Sequence, residues 1–170
     1  MEDNTMKKLM LTVLVCTFLL TSVALRAAEG VDGFRGMKWG TPLPEIRKME
    51  QLVMKQDNGR DNYVFYSIVN DDMRFAGINA AAIRYFFWRD KLAGVVIITD
   101  GVQHFKALKA AAEEKFGLGI TGIGPYGQEI NTWNDGPTMA TLSYERTTQK
   151  GQLVMLSSMI NGLKEGITAE

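Results

Sequence analysis

The chain has 170 residues, 46% of them hydrophobic and 22% charged, and its 19 lysines and arginines are balanced by 19 aspartates and glutamates. This is the composition of a soluble globular domain. The charge balance argues against a nucleic-acid binder, which carries a basic excess on one face, and against a disordered acidic tail.

The apolar residues are unevenly spread, since 17 of the first 28 are hydrophobic. Lys7 and Lys8 form a positive start, Leu9 to Leu20 an apolar stretch, and the small residues Thr21, Ser22, Ala24, Ala27 and Ala28 follow. That is the pattern of a secretory signal peptide, so residues 1–28 are expected to be removed and the protein to be periplasmic or secreted. Cleavage after Ala24, Ala27 or Ala28 fits the small-residue rule, and Met6 offers a second start. The rival is a retained anchor over Leu9 to Leu25, just short of the roughly 20 residues of a membrane span. Contact with a membrane is then expected only through this segment, if it stays uncleaved. Cys16, the only cysteine, follows Val15 and is flanked by apolar residues, so it reads as filler of the apolar stretch.

Residues 29–170 form the expected single α+β domain: 142 residues, 61 of them hydrophobic, with 16 basic and 17 acidic side chains and no cysteine. A chain of this size buries about two-thirds of its surface and folds without disulfides or metal. No cofactor is expected.

In chain order, Thr41 is placed to cap a first helix, with Pro42 at its first position and Leu43, Ile46 and Met49 at helical spacing. Strands follow, bounded by turn residues: Tyr63 to Val69 between Asn58-Gly59 and Asn70-Asp71-Asp72, then Ala82 to Arg89 and Leu92 to Thr99 about Asp90-Lys91. A second helix is expected over Val102 to Phe116, with Asp100 and Gln103 as a capping box and Gly117 as the terminator. Val102, Phe105, Leu108, Ala112 and Phe116 form its apolar stripe. The glycines from Gly117 to Gly127, with Pro125, read as a flexible loop. A three-stranded meander closes the chain: Glu129 to Trp133, Thr138 to Arg146 and Gln152 to Ser158.

The expected fold class is therefore α+β, an antiparallel sheet with two helices packed on one face. The repeated order of helix then strands hints at two degenerate helix-plus-strands units. In Ile83 to Trp88 the residues Ile83, Tyr85 and Phe87 face one way, yet Phe86 and Trp88 on the other side are equally apolar. The next strand repeats this, with Leu92, Val96 and Ile98 opposing Ala93, Val95 and Ile97. Two accounts fit: central strands covered on both sides by loops, by the first helix or by curling of the sheet, or a second face that is a groove or interface.

Catalytic motifs are sparse. Gly117, Gly119 and Gly122 match G-x-G-x-x-G but follow a helix, whereas the dinucleotide fingerprint opens one after a strand. Gln128 stands where a phosphate loop needs lysine. His104 is the only histidine, which rules out a histidine-based zinc site within one chain. A triad of His104 with Ser143, Ser157 or Ser158 lacks the Gly-x-Ser-x-Gly elbow. Asp57, Asp61, Asp71 and Asp72 crowd two turns without calcium-loop spacing and are explained by turn chemistry. No pair among the acids is singled out for glycoside hydrolysis. Trp39, Trp88 and Trp133, with Arg35, Arg84 and Arg89 nearby, suit either core packing or stacking on a ligand.

Phe34-Arg35-Gly36 with Trp39-Gly40-Thr41-Pro42, then Ile83, Tyr85 and Phe87 before Lys91-Leu92, Lys115-Phe116-Gly117, Thr132-Trp133 with Gly136, and Leu142 with Tyr144 together resemble a group of small exported bacterial proteins of uncharacterised function. That resemblance spans most of the mature chain and implies an exported α+β domain, with no catalytic residues to transfer. The layout is also similar, at the level of fold, to small envelope modules such as protein inhibitors and outer-membrane assembly accessory proteins. The expected function is a non-enzymatic binding or interaction module. Its site is Tyr85, Phe86, Phe87 and Trp88, with Trp39 and Trp133 behind them. Its partner is a protein, a second copy or a small apolar ligand, with no nucleic acid. The alternatives are an envelope hydrolase using carboxylates or a serine, and a membrane-anchored domain.

Overall fold

The structure is a computed structural model and describes residues 31–58, 63–125 and 127–160. Residues 1–28, expected as a signal peptide, lie outside them, as do Gly59 and Asp61. Within them the chain is α+β. It has twelve strands: β1 Gly33–Phe34, β2 Met37–Lys38, β3 Leu52–Asn58, β4 Tyr63–Ile68, β5 Arg74–Phe75, β6 Ile78–Asn79, β7 Ala82–Trp88, β8 Lys91–Asp100, β9 Ile120–Ile123, β10 Glu129–Asp135, β11 Thr138–Glu145 and β12 Lys150–Ser157. Two α-helices, α1 Leu43–Met49 and α2 Val102–Phe116, and a 3-10 turn, Ser158–Ile160, complete it.

Eight strands form one antiparallel sheet in the order β3-β4-β7-β8-β12-β11-β10-β9. Each helix is followed by four strands of this sheet, paired in chain order, and the two runs meet at their last strands, β8 and β12. The run after α2 therefore has four strands where a three-stranded meander was expected. The glycine-rich stretch after Gly117, expected as a loop, contributes β9. Ile120, Thr121 and Ile123 are β-branched and favour a strand, but four residues among Gly117, Gly119, Gly122 and Gly124 carry too little pattern to show it, and pairing with Glu129–Thr132 sets the strand.

Four further short strands form two separate hairpins. In Phe34-Arg35-Gly36-Met37 and Phe75-Ala76-Gly77-Ile78 both central residues have positive φ, between 48° and 79°. This is the backbone a two-residue hairpin turn of type I′ requires, and the glycine supplies half of it without strain.

Strand alternation divides the sheet into two faces. Registers connect Tyr66, Tyr85, Val95, Met155, Ala140 and Trp133 across neighbouring strands, and Ile83, Ile97, Leu153 and Leu142 beside them. All of these are buried in one cluster that also holds Leu43 and Ile46 of α1, Leu108, Ala111 and Ala112 of α2, and Phe34, Met37 and Phe75 of the hairpins. This is the core face.

Helix contacts follow from the strand order. α2 leaves the sheet at β8 and re-enters it at β9, four strand spacings away, about 19 Å. Its 15 residues span about 22 Å, enough for that crossing. Near its start Phe105 meets Tyr144 of β11, and near its end Phe116 meets Trp133 of β10, with ring centroids 4.9 and 6.1 Å apart. α1 is tied at its start to the β7–β8 turn, where the Leu43 N–H donates to the Asp90 carbonyl, and its Arg47 reaches the Tyr66 hydroxyl of β4. With 7 residues it spans only about 10 Å. The two hairpins fill the remaining core-face area, stacking Phe34 on Phe75 and setting Phe34 against Tyr85.

Two capping expectations are corrected. α1 starts at Leu43 with Pro42 as its extended cap, because the Thr41 hydroxyl donates to the Lys38 carbonyl and is used up in the preceding turn. α2 does span Val102–Phe116, but no Asp100–Gln103 capping box forms: its cap is Gly101 at φ 81°, with no side-chain hydrogen bond. Asp100 belongs to β8, paired with Lys150, and its carbonyl accepts from His104 Nδ1.

Candidate functional site

On the second face, alternation places the residues between those of the core face. The register Tyr63↔Trp88 and Phe65↔Phe86 sets four aromatic side chains side by side on β4 and β7. Tyr63, Phe65 and Phe86 touch one another, at centroid distances of 5.8, 5.6 and 5.3 Å, tilted or edge-to-face as ring quadrupoles prefer. The Arg89 guanidinium lies 4.2 Å from the centre of the Trp88 ring.

The apolar surface runs on into the neighbouring strands. Leu156 of β12 leans over Gly94 of β8, which pairs with Phe86; a Cβ on Gly94 would stand 2.6 Å from the Leu156 side chain. Ile98, Val154, Leu156 and Met139 continue the surface, all half-buried, around the buried Val96. Arg84 and Gln152 on the same face are exposed.

The six residues singled out from the sequence divide between the faces. Tyr85 and Phe87 are 1% and 2% exposed, Trp39 and Trp133 are 8% and 6%, and all four belong to the core cluster. The polar ends of both tryptophans are spent inside the fold, Trp39 Nε1 donating to Thr138 Oγ1 at 2.6 Å and Trp133 Nε1 to the Gly117 carbonyl at 2.8 Å. Phe86 and Trp88 are half-buried on the second face. Tyr63 and Phe65 join them and were missed in the sequence, although their spacing within Tyr63-Val64-Phe65-Tyr66 is the same period-2 signal that marked β7.

A polar cluster sits at the rim of the core face. Asp71, 9% exposed, takes an ion pair from Arg35 and a 3.0 Å hydrogen bond from the Tyr85 hydroxyl. Arg35 also donates to the carbonyls of Asp72 and Arg74. Burial, reinforced by the Asp71 charge, pushes the Tyr85 hydroxyl above the ordinary tyrosine range. Hydrogen bonds from Arg74 hold Asp72 below the usual carboxylate value. The cluster fastens both hairpins to β7, and its groups are occupied with one another.

The described residues hold no group of three or more His, Cys, Asp or Glu able to bind a metal ion. His104 Nδ1 is engaged by the Asp100 carbonyl, while the buried Ser157 hydroxyl has no hydrogen-bond partner, so these two do not form a nucleophile–base pair. A groove of about 220 Å³ beside Trp88 is lined by Leu92, Ala93, Ser157, Met159 and Ile160. A second, of about 420 Å³, lies between Phe105, Tyr144, Gln128, Glu129 and Arg146. No described helix is long and apolar enough to cross a membrane.

No protein family matches the chain. No curated protein matches it, and no solved structure does.

Proposed function

We propose that the protein is an exported, non-enzymatic module that binds a protein partner through the second face of its sheet. The observation that carries this reading is the half-exposed cluster of Tyr63, Phe65, Phe86 and Trp88, continuous with Ile98, Val154 and Leu156. Aromatic and aliphatic side chains with an arginine at the margin are the composition of an interface core. A protein partner is favoured over a small apolar ligand by size. The apolar groove beside Trp88, about 220 Å³, is below the roughly 300–1,000 Å³ of ligand pockets. The larger groove sets Phe105 and Tyr144 among Gln128, Glu129, Glu145 and Arg146, a mixed lining that does not suit an apolar ligand. Export is part of the proposal and rests on the pattern of residues 1–28.

The test is site-specific photo-crosslinking in the producing cell. A photoreactive phenylalanine analogue at Phe86 or Trp88 is expected to give discrete protein adducts, and the same probe at Lys106, exposed on α2, none. Adducts from Lys106 alone, or from neither face, refute the reading. The N-terminal sequence of the recovered protein tests export separately.

A further inference from the structure

The main sheet ends in β3 on one side and β9 on the other, and the two edges differ in kind. β3 has a register shift between Met54 and Gln56 and includes Lys55 and Asp57. A bulge and charges are the usual devices that keep a sheet edge from further pairing. The β9 edge has neither. Residues 118–125, Leu-Gly-Ile-Thr-Gly-Ile-Gly-Pro, include no ionisable side chain. Leu118, Ile120 and Ile123 are 92%, 76% and 73% exposed. Among the described residues no strand pairs with the outer side of β9.

The strand is also held in shape. Its register with β10 places Ile120 and Gly122 on the second face and Thr121 and Ile123 on the other. Just before it, Gly119 lies against the Trp133 indole so closely that a Cβ would come within 2.6 Å of the ring. An edge fixed this way needs little ordering to accept another strand.

We propose that β9 pairs antiparallel with β9 of a second copy of this chain, about a two-fold axis through Thr121. An axis normal to the sheet keeps each face continuous, so only residues of the same face meet across the junction. Centred on Thr121, the pairing sets Ile120 against Gly122 of the second copy, Ile123 against Gly119, and Thr121 against itself. Each isoleucine meets a glycine, and a threonine pair is a favourable cross-strand match. The lack of charge removes the repulsion that ordinarily separates identical strands. This self-complementarity selects a second copy over an unrelated extended segment. The strand is short, so the contact falls below the roughly 1,200 Å² of standard interfaces and the dimer is weak.

Sedimentation velocity on the protein, expressed from its full-length sequence and diluted from several hundred micromolar, is expected to show a monomer–dimer equilibrium. Ile120→Lys places like charges beside the junction and is expected to weaken the dimer by roughly 10-fold. Because Ile120 is 76% exposed, the same substitution leaves the unfolding midpoint of the dilute protein unchanged. Register is tested with Thr121→Cys in a Cys16→Ser background. Paired Cα atoms about 4.5–5.5 Å apart permit a disulfide, so mild oxidation yields a covalent dimer. Gln152→Cys, exposed in the middle of the second face, yields none. A protein that stays monomeric throughout leaves β9 to an extended segment of another protein or to none, and overturns the proposal. A dimer indifferent to Ile120→Lys, or one cross-linked through Gln152→Cys and not Thr121→Cys, overturns it as well.

Discussion

Phe86 and Phe87 are chemically identical neighbours on β7, and the fold assigns them to opposite faces, so replacing each by alanine isolates what a face is worth. Phe87 is 2% exposed and meets the Tyr66 ring edge-on at 5.4 Å. Its removal empties a closed site, and Phe→Ala there costs about 3–5 kcal/mol. Against a total stability of about 5–15 kcal/mol, that is a large part of what holds the domain together. Phe86 is half-buried and keeps solvent on one side. It loses part of its apolar contact and two ring pairs, each at the lower end of the range, about 0.5 kcal/mol, because the rings stand half in water, so the expected cost is about 1–2 kcal/mol. At about 4 °C per kcal/mol for a domain of this size, Phe87→Ala lowers the melting midpoint by roughly 12–20 °C and Phe86→Ala by roughly 4–8 °C. Urea unfolding followed by far-UV circular dichroism measures both, with an unchanged m-value showing that only stability has moved. Equal losses for the two variants refute the division of faces and mean that the second face is packed as tightly as the first. A Phe86→Ala variant that stays folded yet loses its crosslinked partner ties that face to binding.

Tyr85 gives a pH signature. Its hydroxyl ionises less readily in the folded chain than at the ordinary value of about 10, so above that pH the unfolded state carries fewer protons. Stability is full below about pH 10 and falls as pH rises above it, by at most about 1.4 kcal/mol per pH unit, and Tyr85→Phe removes this share of the slope in urea titrations. Asp71→Ala strands the Arg35 guanidinium and the Tyr85 hydroxyl, both only partly solvated, and is expected to cost about 2–3 kcal/mol. Hydrogen exchange reads it out as faster exchange at residues 33–38 with β12 still protected; uniform loss of protection counts against the pin. Gly151→Ala brings a Cβ within 2.6 Å of Thr99 Oγ1 and 3.0 Å of Phe105, pushing α2 off the sheet at a cost of about 1–3 kcal/mol. A variant that melts with the wild type shows that the helix has room there.

The long elements were legible because their signals are local. Gly101 and Gly117 bracket α2, and the stretches around Asp90 and Gly136 reverse the chain where β7 to β8 and β10 to β11 connect, whereas the β11–β12 reversal falls at 146–149 and Gly151 is a paired residue of β12. The short hairpins and β9 were not, since two to four residues carry too little pattern and are strands only through their partners. The twice-used Phe-x-Gly turn, at Phe34 to Gly36 and Phe75 to Gly77, was the available hint. For the candidate site, alternation in Ile83 to Trp88 showed two apolar faces without saying which was the core. That choice is made by distant residues: Asp71 reaches the Tyr85 hydroxyl, and Phe34 packs on its ring. A charge on one side was a usable clue. Arg84 shares its face with Phe86 and Trp88 and is exposed, and a guanidinium on a strand marks the side toward water.

The strand order also explains which strands end the sheet. Because each run pairs in chain order and the runs join at β8 and β12, the first strand of each, β3 and β9, is pushed to the outside. The junction itself is dry, with Val95, Ile97, Leu153 and Met155 all at 0% exposure, so it couples the two runs into one core. Removing a side chain there, as in Leu153→Ala, is expected to cost about 2–5 kcal/mol and to lower both runs together. Trp39 and Trp88 fluorescence and the Trp133 signal, separated by single-tryptophan variants, then report one transition. Two transitions refute the shared core, because runs that unfold separately cannot both depend on the β8–β12 pairing.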